Sequence, residues 1–176
     1  MYISLILYII LLIILYYISI NNNDFKERKT PDNYFYNILI NITYSIFLLI
    51  LINKYYSLKE KKTTFNILKI IGLIFIFDTI FYWSHIIMHR VQFLRKHLHE
   101  THHKNIDLVP LDFLYEGIFS VLINSVLYFI LPCLTLNFIE TVIYLVIIIT
   151  HLIYTHSNVK FNFPIPLFIN SKYHLL

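Results

Sequence analysis

Five long apolar segments constrain the fold of this chain more than any other feature of its sequence. They run over residues 2–20, 34–52, 67–83, 118–134 and 138–153. Each approaches or exceeds the length of about 17–20 residues that a helix needs to cross a hydrocarbon core. The last two are separated only around Pro132 and Asn137, which is typical of a helical hairpin. The pattern predicts an all-α, polytopic membrane helical bundle with about four to five membrane segments.

The composition agrees with a membrane protein. Hydrophobic residues make up 58% of the chain and charged residues 14%, too few for the surface of a soluble domain. The first apolar segment is expected to remain as an anchor, because no basic residue precedes it and no small-residue cleavage site follows. No repeat or Gly/Ser linker divides the chain. We expect N-terminal membrane helices and loops over 1–65, and a histidine-motif region over 66–176.

Basic residues near the ends of the apolar segments predict the orientation of the chain. If the segments alternate in direction, nine Lys and Arg fall on one side of the membrane and four on the other. The more basic side is expected to be cytoplasmic. The hairpin at 118–153 returns the chain to the side from which it entered. The histidines before and after the hairpin are therefore expected on the same, cytosolic face.

The chain contains nine histidines although it has few other polar residues, and six of them lie between residues 85 and 103. On a helix, His85 and His89 are four residues apart and project from the same face. A second set, His99, His102 and His103, repeats this geometry with spacings of three and four residues. Two helical faces thus present five imidazoles, which are ligands for iron, zinc, copper and nickel.

The number of histidines favours a pair of metal ions over a single ion. A structural zinc uses four protein ligands and a catalytic zinc three, which five or more convergent histidines exceed. The one cysteine, Cys133, excludes a disulfide within the chain and a cysteine-based zinc site. Asp78 precedes His85 by seven residues, so it shares the helical face and is expected to accept the second ring N–H of a ligating histidine. His151 is a further metal candidate outside the two spaced sets.

These motifs resemble those of the membrane fatty acid hydroxylase and sterol desaturase superfamily. The segment from Asp78 to His89 resembles the family's Asp, aromatic residues and H-x3-H, and His99-Glu-Thr-His102-His103 resembles its H-x2-H-H. The segment 111–117, LDFLYEG, is similar to the one by which the family enters its hairpin. The resemblance covers residues 78–176, over half of the chain.

The resemblance continues after the hairpin, with two departures. His156-Ser-Asn158 resembles the family's later H-x-N element, and His174 resembles the first residue of its final H-x2-H-H. The sequence ends at Leu176, where the paired histidines of that motif are expected, and Ile86 stands where the family often has Arg. We therefore expect a C-terminally truncated chain that lacks two of the family's ligands.

The resemblance implies a non-haem di-iron oxygenase that hydroxylates or desaturates a lipid, either a sterol or a fatty acyl chain, with O2. The implied metal ligands are His85, His89, His99, His102, His103, His156 and His174, with Asp78 and Asn158 supporting them. No catalytic residue beyond these ligands is expected. Two irons are the implied cofactors, with zinc as a substitute. The implied partners are a lipid from the bilayer and a cytochrome b5-type electron donor, in lipid biosynthesis at the endoplasmic reticulum; no nucleic-acid partner is expected.

Three alternatives remain open at this stage. His99-Glu100-x-x-His103 also fits H-E-x-x-H, in which two histidines bind zinc and the glutamate activates water, as in an intramembrane zinc metalloprotease. A divalent-metal transporter would use histidines along a pathway through the membrane. A truncated homologue without catalytic activity is the third alternative.

Overall fold

The computed structural model describes residues 3–21, 30–59, 64–100 and 109–156, and its regular structure within these ranges is helical. Helix α1 is Ile3–Asn21, α2 is Tyr34–Leu58 and α3 is Ile67–Arg90. Helix α4 is continuous over three segments: α-helical Ile118–Ser125, π-helical Val126–Ile130 and α-helical Leu131–Thr135. Helix α5 is Phe138–Thr155. Shorter helical turns are formed by Gln92–Leu94, Arg95–His99 and Pro110–Leu114. The predicted all-α class is confirmed.

The helices have the length and composition of membrane segments. Three of them, α2, α3 and α5, are long and apolar enough to cross a membrane, and shorter apolar helices cover Tyr8–Ser19 and Ser120–Thr135. Large apolar side chains are exposed on the outer faces, such as Leu39 at 63% and Leu68 at 71%. An apolar surface of this extent indicates contact with lipid. The structure thus confirms a polytopic membrane helical bundle.

The main core lies where α3, α4 and α5 meet. Phe77 of α3 is 1% exposed and its ring contacts the rings of Tyr128 from α4 and Tyr144 from α5. A second core cluster joins α1 and α2 to the segment 109–115, which precedes α4. The N-terminal helices therefore pack directly on the chain that leads into the hairpin.

Helices α3 and α5 begin at one shared carboxylate. Glu140 is fully buried; its Oε2 accepts from the Asn137 N–H at 2.8 Å and its Oε1 accepts from the Asn66 N–H at 2.6 Å. Asn137 and Asn66 are the N-caps of α5 and α3, and each side chain accepts from a backbone N–H of its own helix. Capping satisfies N–H groups that the first turn leaves without partners. Because both N-termini meet at Glu140 and the helices pack together, α3 and α5 run parallel.

The hairpin turn lies after Pro132. A proline lacks the N–H that the preceding turn needs, and here a π-helical turn over Val126–Ile130 comes just before it. The helix then continues to Thr135, and the turn is made at Leu136 and Asn137. The Tyr56 hydroxyl from α2 donates to the Leu136 carbonyl at 3.0 Å, which ties the turn to the bundle.

Candidate metal centre

His85 and His89 face one another near the C-terminal end of α3. Their Nε2 atoms are 3.1 Å apart and their ring centroids 4.7 Å apart. Two imidazole nitrogens that each lie about 2.0–2.1 Å from one ion, at close to a right angle, have this separation. Both side chains are half-buried. The residues present therefore fit two ligands of one metal ion, as the i, i+4 spacing predicts.

Aromatic side chains from the preceding turns of α3 pack against this histidine pair. Phe77 stacks on Phe81 with centroids 5.6 Å apart, and Phe81 stacks on His85 with centroids 6.1 Å apart. Phe77, Phe81, His85 and His89 are spaced by four residues, so they form a column along one face of α3. Packing against Phe81 restricts the rotamers of His85 and covers one side of its ring. The four-residue spacing of this column is visible in the sequence. The sequence prediction used only its two histidines.

His156 caps the C-terminal end of α5 and is 1% exposed. Its Nδ1 lies 2.7 Å from the Leu152 carbonyl oxygen. A carbonyl only accepts, so Nδ1 carries the proton in the neutral ring, and Nε2 carries the lone pair that a metal ligand requires. His151 lies within α5 and is also buried.

The structure places the other predicted site residues as follows. Asp78 is half-buried on α3, two turns before His85. His99 is the last residue of the π-helical turn Arg95–His99, in which the Glu100 N–H donates to the Arg95 carbonyl at 2.7 Å. His102, His103, Asn158 and His174 lie outside the described residues. Within the described ranges, no three His, Cys, Asp or Glu side chains stand close enough to hold a metal ion.

The segment that enters α4 is held by buried polar contacts with α1 and α2. Asp112 is 2% exposed; its Oδ1 accepts from the Tyr34 hydroxyl at 2.7 Å and its Oδ2 from the Val109 N–H at 2.9 Å. The Leu111 N–H donates to Ser19 Oγ at 3.1 Å. Burial, and to a smaller extent the Asp112 carboxylate, raises the pKa of Tyr115. These contacts join residues far apart in sequence.

A small, partly open pocket lies behind this segment, among α1, α2, α4 and α5, with a volume of about 70 Å³. Most of its lining is apolar, including Leu152, whose carbonyl holds His156. Glu116 is its charged residue, and Glu116 Oε2 accepts from Ser120 Oγ at 3.1 Å and from Asn124 Nδ2 at 3.0 Å. In the sequence, Glu116 is distinguished only by its place in the family-like segment 111–117.

Comparison with known proteins identifies the region that contains these features. Residues 70–176 match the sequence model of a family described as fatty acid hydroxylase. The match includes α3 from residue 70 onward, α4, α5 and every histidine of the chain. No curated protein and no solved structure matches the chain.

Proposed function

Since the chain belongs to the fatty acid hydroxylase family, a family of lipid hydroxylases and desaturases, we propose that it is a di-iron oxygenase that hydroxylates or desaturates a lipid with O2. The observation that carries this proposal is the His85–His89 pair, with its 3.1 Å separation between Nε2 atoms. The tautomer of His156 supports the proposal, because it presents Nε2 as a ligand. The pair thus provides two nitrogens with the spacing that one metal ion requires.

The proposed metal ligands come from both sides of the hairpin. They are His85, His89, His99, His102, His103, His156 and His174, with His151 as a further candidate and with Asp78 and Asn158 supporting the ligands. When bound, two irons supply, with O2 and electrons, the oxidising power to remove hydrogen from an unactivated C–H bond. Side-chain acids and bases do not suffice for that step, because an alkyl chain has no acidic proton.

Residues around His85 and His156 would orient these ligands and limit the access of water. Phe81 and Phe77 limit water on one side of the His85 ring and hold its orientation. The Leu152 carbonyl holds the proton of His156 at Nδ1. Apolar surfaces of the helices allow a lipid to approach from the bilayer. A cytochrome b5-type donor would deliver electrons at the cytosolic face of the endoplasmic reticulum, where we place the histidine motifs of the 66–176 region.

Metal content and turnover of the full chain in membranes test this proposal. We expect the purified protein to bind about two irons per chain and to oxidise a lipid only with O2 and a reductant. His89→Ala should lower metal affinity by more than about 100-fold and abolish turnover, because it removes a ligand. His97→Ala is the matched control, since that ring is exposed and packs on Phe93 with centroids 4.7 Å apart.

Two results would contradict the proposal. The first is a single zinc per chain with no binding of iron. The second is peptide hydrolysis that Glu100→Gln abolishes while metal stays bound, as the protease alternative predicts. The oxygenase proposal instead expects the Glu100→Gln variant to retain lipid oxidation.

A further inference from the structure

The pocket between the hairpin and the N-terminal helices contains buried polar atoms to which the described residues offer no hydrogen bond. Asn41 is 3% exposed, and its Nδ2 donates to the Leu114 carbonyl at 2.7 Å and to the Glu116 carbonyl at 3.0 Å. Because both carbonyls only accept, the amide cannot be flipped. Asn41 Oδ1 is buried and has no hydrogen-bond partner among the described residues. It is therefore an acceptor held in place without a donor.

Tyr128 contributes a second such atom to the same pocket. Its hydroxyl is buried and also has no hydrogen-bond partner within the described ranges. It lies within electrostatic reach of the Glu116 carboxylate. The Tyr8 hydroxyl, which also lines the pocket, is a third buried atom without a hydrogen-bond partner in these ranges. Buried polar groups in native proteins are nearly always hydrogen-bonded, so three unsatisfied groups in one pocket indicate a polar ligand. A ligand that donates to Asn41 and accepts from Tyr128 satisfies these two atoms.

A hydroxyl group meets both requirements, since it has one donor and two acceptor lone pairs. A carboxylate cannot donate, and it would place a second negative group beside Glu116. About 10–15 Å³ by this measure holds one water molecule, so about 70 Å³ holds a hydroxymethyl group and a few methylenes, but not a ring system. The rest of the chain would leave through the open side of the pocket.

We propose that this pocket binds the hydroxyl end of a neutral, single-chain lipid alcohol. The inference rests on the proposed function in taking that lipid as the substrate of the oxygenase. Leu152 connects the two sites, because it lines the pocket and its carbonyl holds His156. The substrate class is then an alkyl or acyl lipid with an uncharged hydroxyl head, and free fatty acids are excluded.

Photolabelling of the full chain in phosphatidylcholine nanodiscs tests this, without added metal or reductant. The probe is hexadecan-1-ol with a diazirine on its chain, and the competitors are hexadecan-1-ol, 1-methoxyhexadecane, hexadecanoic acid and cholesterol. We expect labelling of peptides that contain 113–129 and 145–152. Unlabelled hexadecan-1-ol should displace the probe at concentrations about tenfold lower than the methyl ether, which cannot donate. The acid and cholesterol should be weaker still.

Variants separate recognition of the hydroxyl from stability of the fold. Tyr128→Phe should reduce the advantage of the alcohol over the ether several-fold. Tyr144→Phe, a buried tyrosine outside the pocket, should leave that advantage unchanged. Glu116→Gln should make hexadecanoic acid a better competitor, because the opposing charge is removed. A damaged fold would lower binding of every competitor and would not improve the acid.

Other outcomes would overturn the inference. Equal displacement by alcohol and ether would mean an apolar cavity whose polar atoms bind only water. If hexadecanoic acid or cholesterol displaced the probe at lower concentrations than hexadecan-1-ol does, the pocket would bind a different lipid headgroup. Binding of the alcohol requires neither iron nor O2, so a chain that binds it but oxidises no lipid would contradict only the proposed function. A chain that oxidises lipids but does not prefer the alcohol would contradict only this inference.

Discussion

Asp112 shows how single residues hold the site-bearing region to the N-terminal helices. Its Oδ1 accepts from the Tyr34 hydroxyl and its Oδ2 from the Val109 N–H. A buried carboxylate is costly unless such donors satisfy it. Tyr34 is fully buried and also packs against the ring of Tyr115, with centroids 5.0 Å apart. This contact therefore contributes to the stability of the whole bundle.

Tyr34→Phe is expected to lower the free energy of unfolding by about 1.5–3 kcal/mol, because it removes a hydrogen bond to a buried carboxylate and keeps the ring. Unfolding of the protein in detergent, followed by circular dichroism, measures the change. Tyr36→Phe is the matched control: Tyr36 lies on the same helix, is 66% exposed and should give no change. Equal losses in both variants would show that the Tyr34–Asp112 hydrogen bond is not the cause.

Sequence spacing alone accounts for contacts between residues on one helical face. The spacing of His85 and His89 places them on one helical face, and the structure brings their Nε2 atoms to 3.1 Å. The hydrogen bonds of Asp112 to Tyr34 and of Leu111 to Ser19 could not be found in this way, because Tyr34 and Ser19 lie on other helices. Tyr34 and Ser19 stand out only because their polar groups are buried. Burial depends on the packing of the whole chain, which the sequence pattern does not give.

The N-termini of α3 and α5 are stabilised as a unit by Glu140. One carboxylate serves the backbone N–H groups of Asn66 and Asn137, while the Asn137 side chain accepts from the Glu140 N–H at 2.9 Å. Glu140 is fully buried, and the loss of its carboxylate would remove the acceptor of two backbone N–H groups. The capping box is therefore also a link between two helices.

Glu140→Ala is expected to destabilise the protein by about 2–4 kcal/mol, and Asn137→Ala by about 1 kcal/mol, since the second removes only one cap. Thermal unfolding in detergent measures both. Thr150→Ala serves as the control on the same helix, because Thr150 is exposed and its hydroxyl donates to the Val146 carbonyl within that helix. If Glu140→Ala lowers the free energy of unfolding by no more than Asn137→Ala does, the hydrogen bond from Asn66 to Glu140 does not stabilise the protein.

Element boundaries were predictable where apolar runs end in polar residues. The five apolar segments coincide with helices, but α2 and α3 continue past Ile52 and Trp83 to Leu58 and Arg90. The sequence placed a break around Pro132, whereas α4 continues through it, because the π-helical turn before it accommodates the missing N–H. A hydropathy pattern contains no information on such a change of helical register.

At the scale of the whole molecule, the distribution of basic residues predicts which face is cytosolic. The C-terminal end of α2 and the N-terminal end of α3 both contact the region around the hairpin turn, through Tyr56 and Asn66, so they lie at one face of the bundle, and the C-terminal end of α3 lies at the other. Orientation in the membrane follows from charge and not from packing. It is therefore testable independently of the fold.

Single cysteines introduced into a Cys133→Ser chain report this orientation. In sealed microsomes, we expect Lys96→Cys to react with a membrane-impermeant maleimide, and Leu58→Cys to react only after permeabilisation. Both positions are exposed in the structure, so differences in burial do not explain the contrast. The opposite pattern would place the histidine motifs in the lumen and contradict the cytosolic electron donor.

Because α3 and α5 begin at the same carboxylate, positions along the two helices can be compared by counting residues from their N-caps. Nineteen residues separate Asn66 from His85, and nineteen separate Asn137 from His156. With a rise of about 1.5 Å per residue, each histidine stands about 28 Å from the N-cap of its own helix, and both N-caps donate to Glu140. An insertion or deletion within either helix would shift one histidine against the other, although no ligand had been changed. The lengths of α3 and α5 are therefore expected to vary together, or not at all.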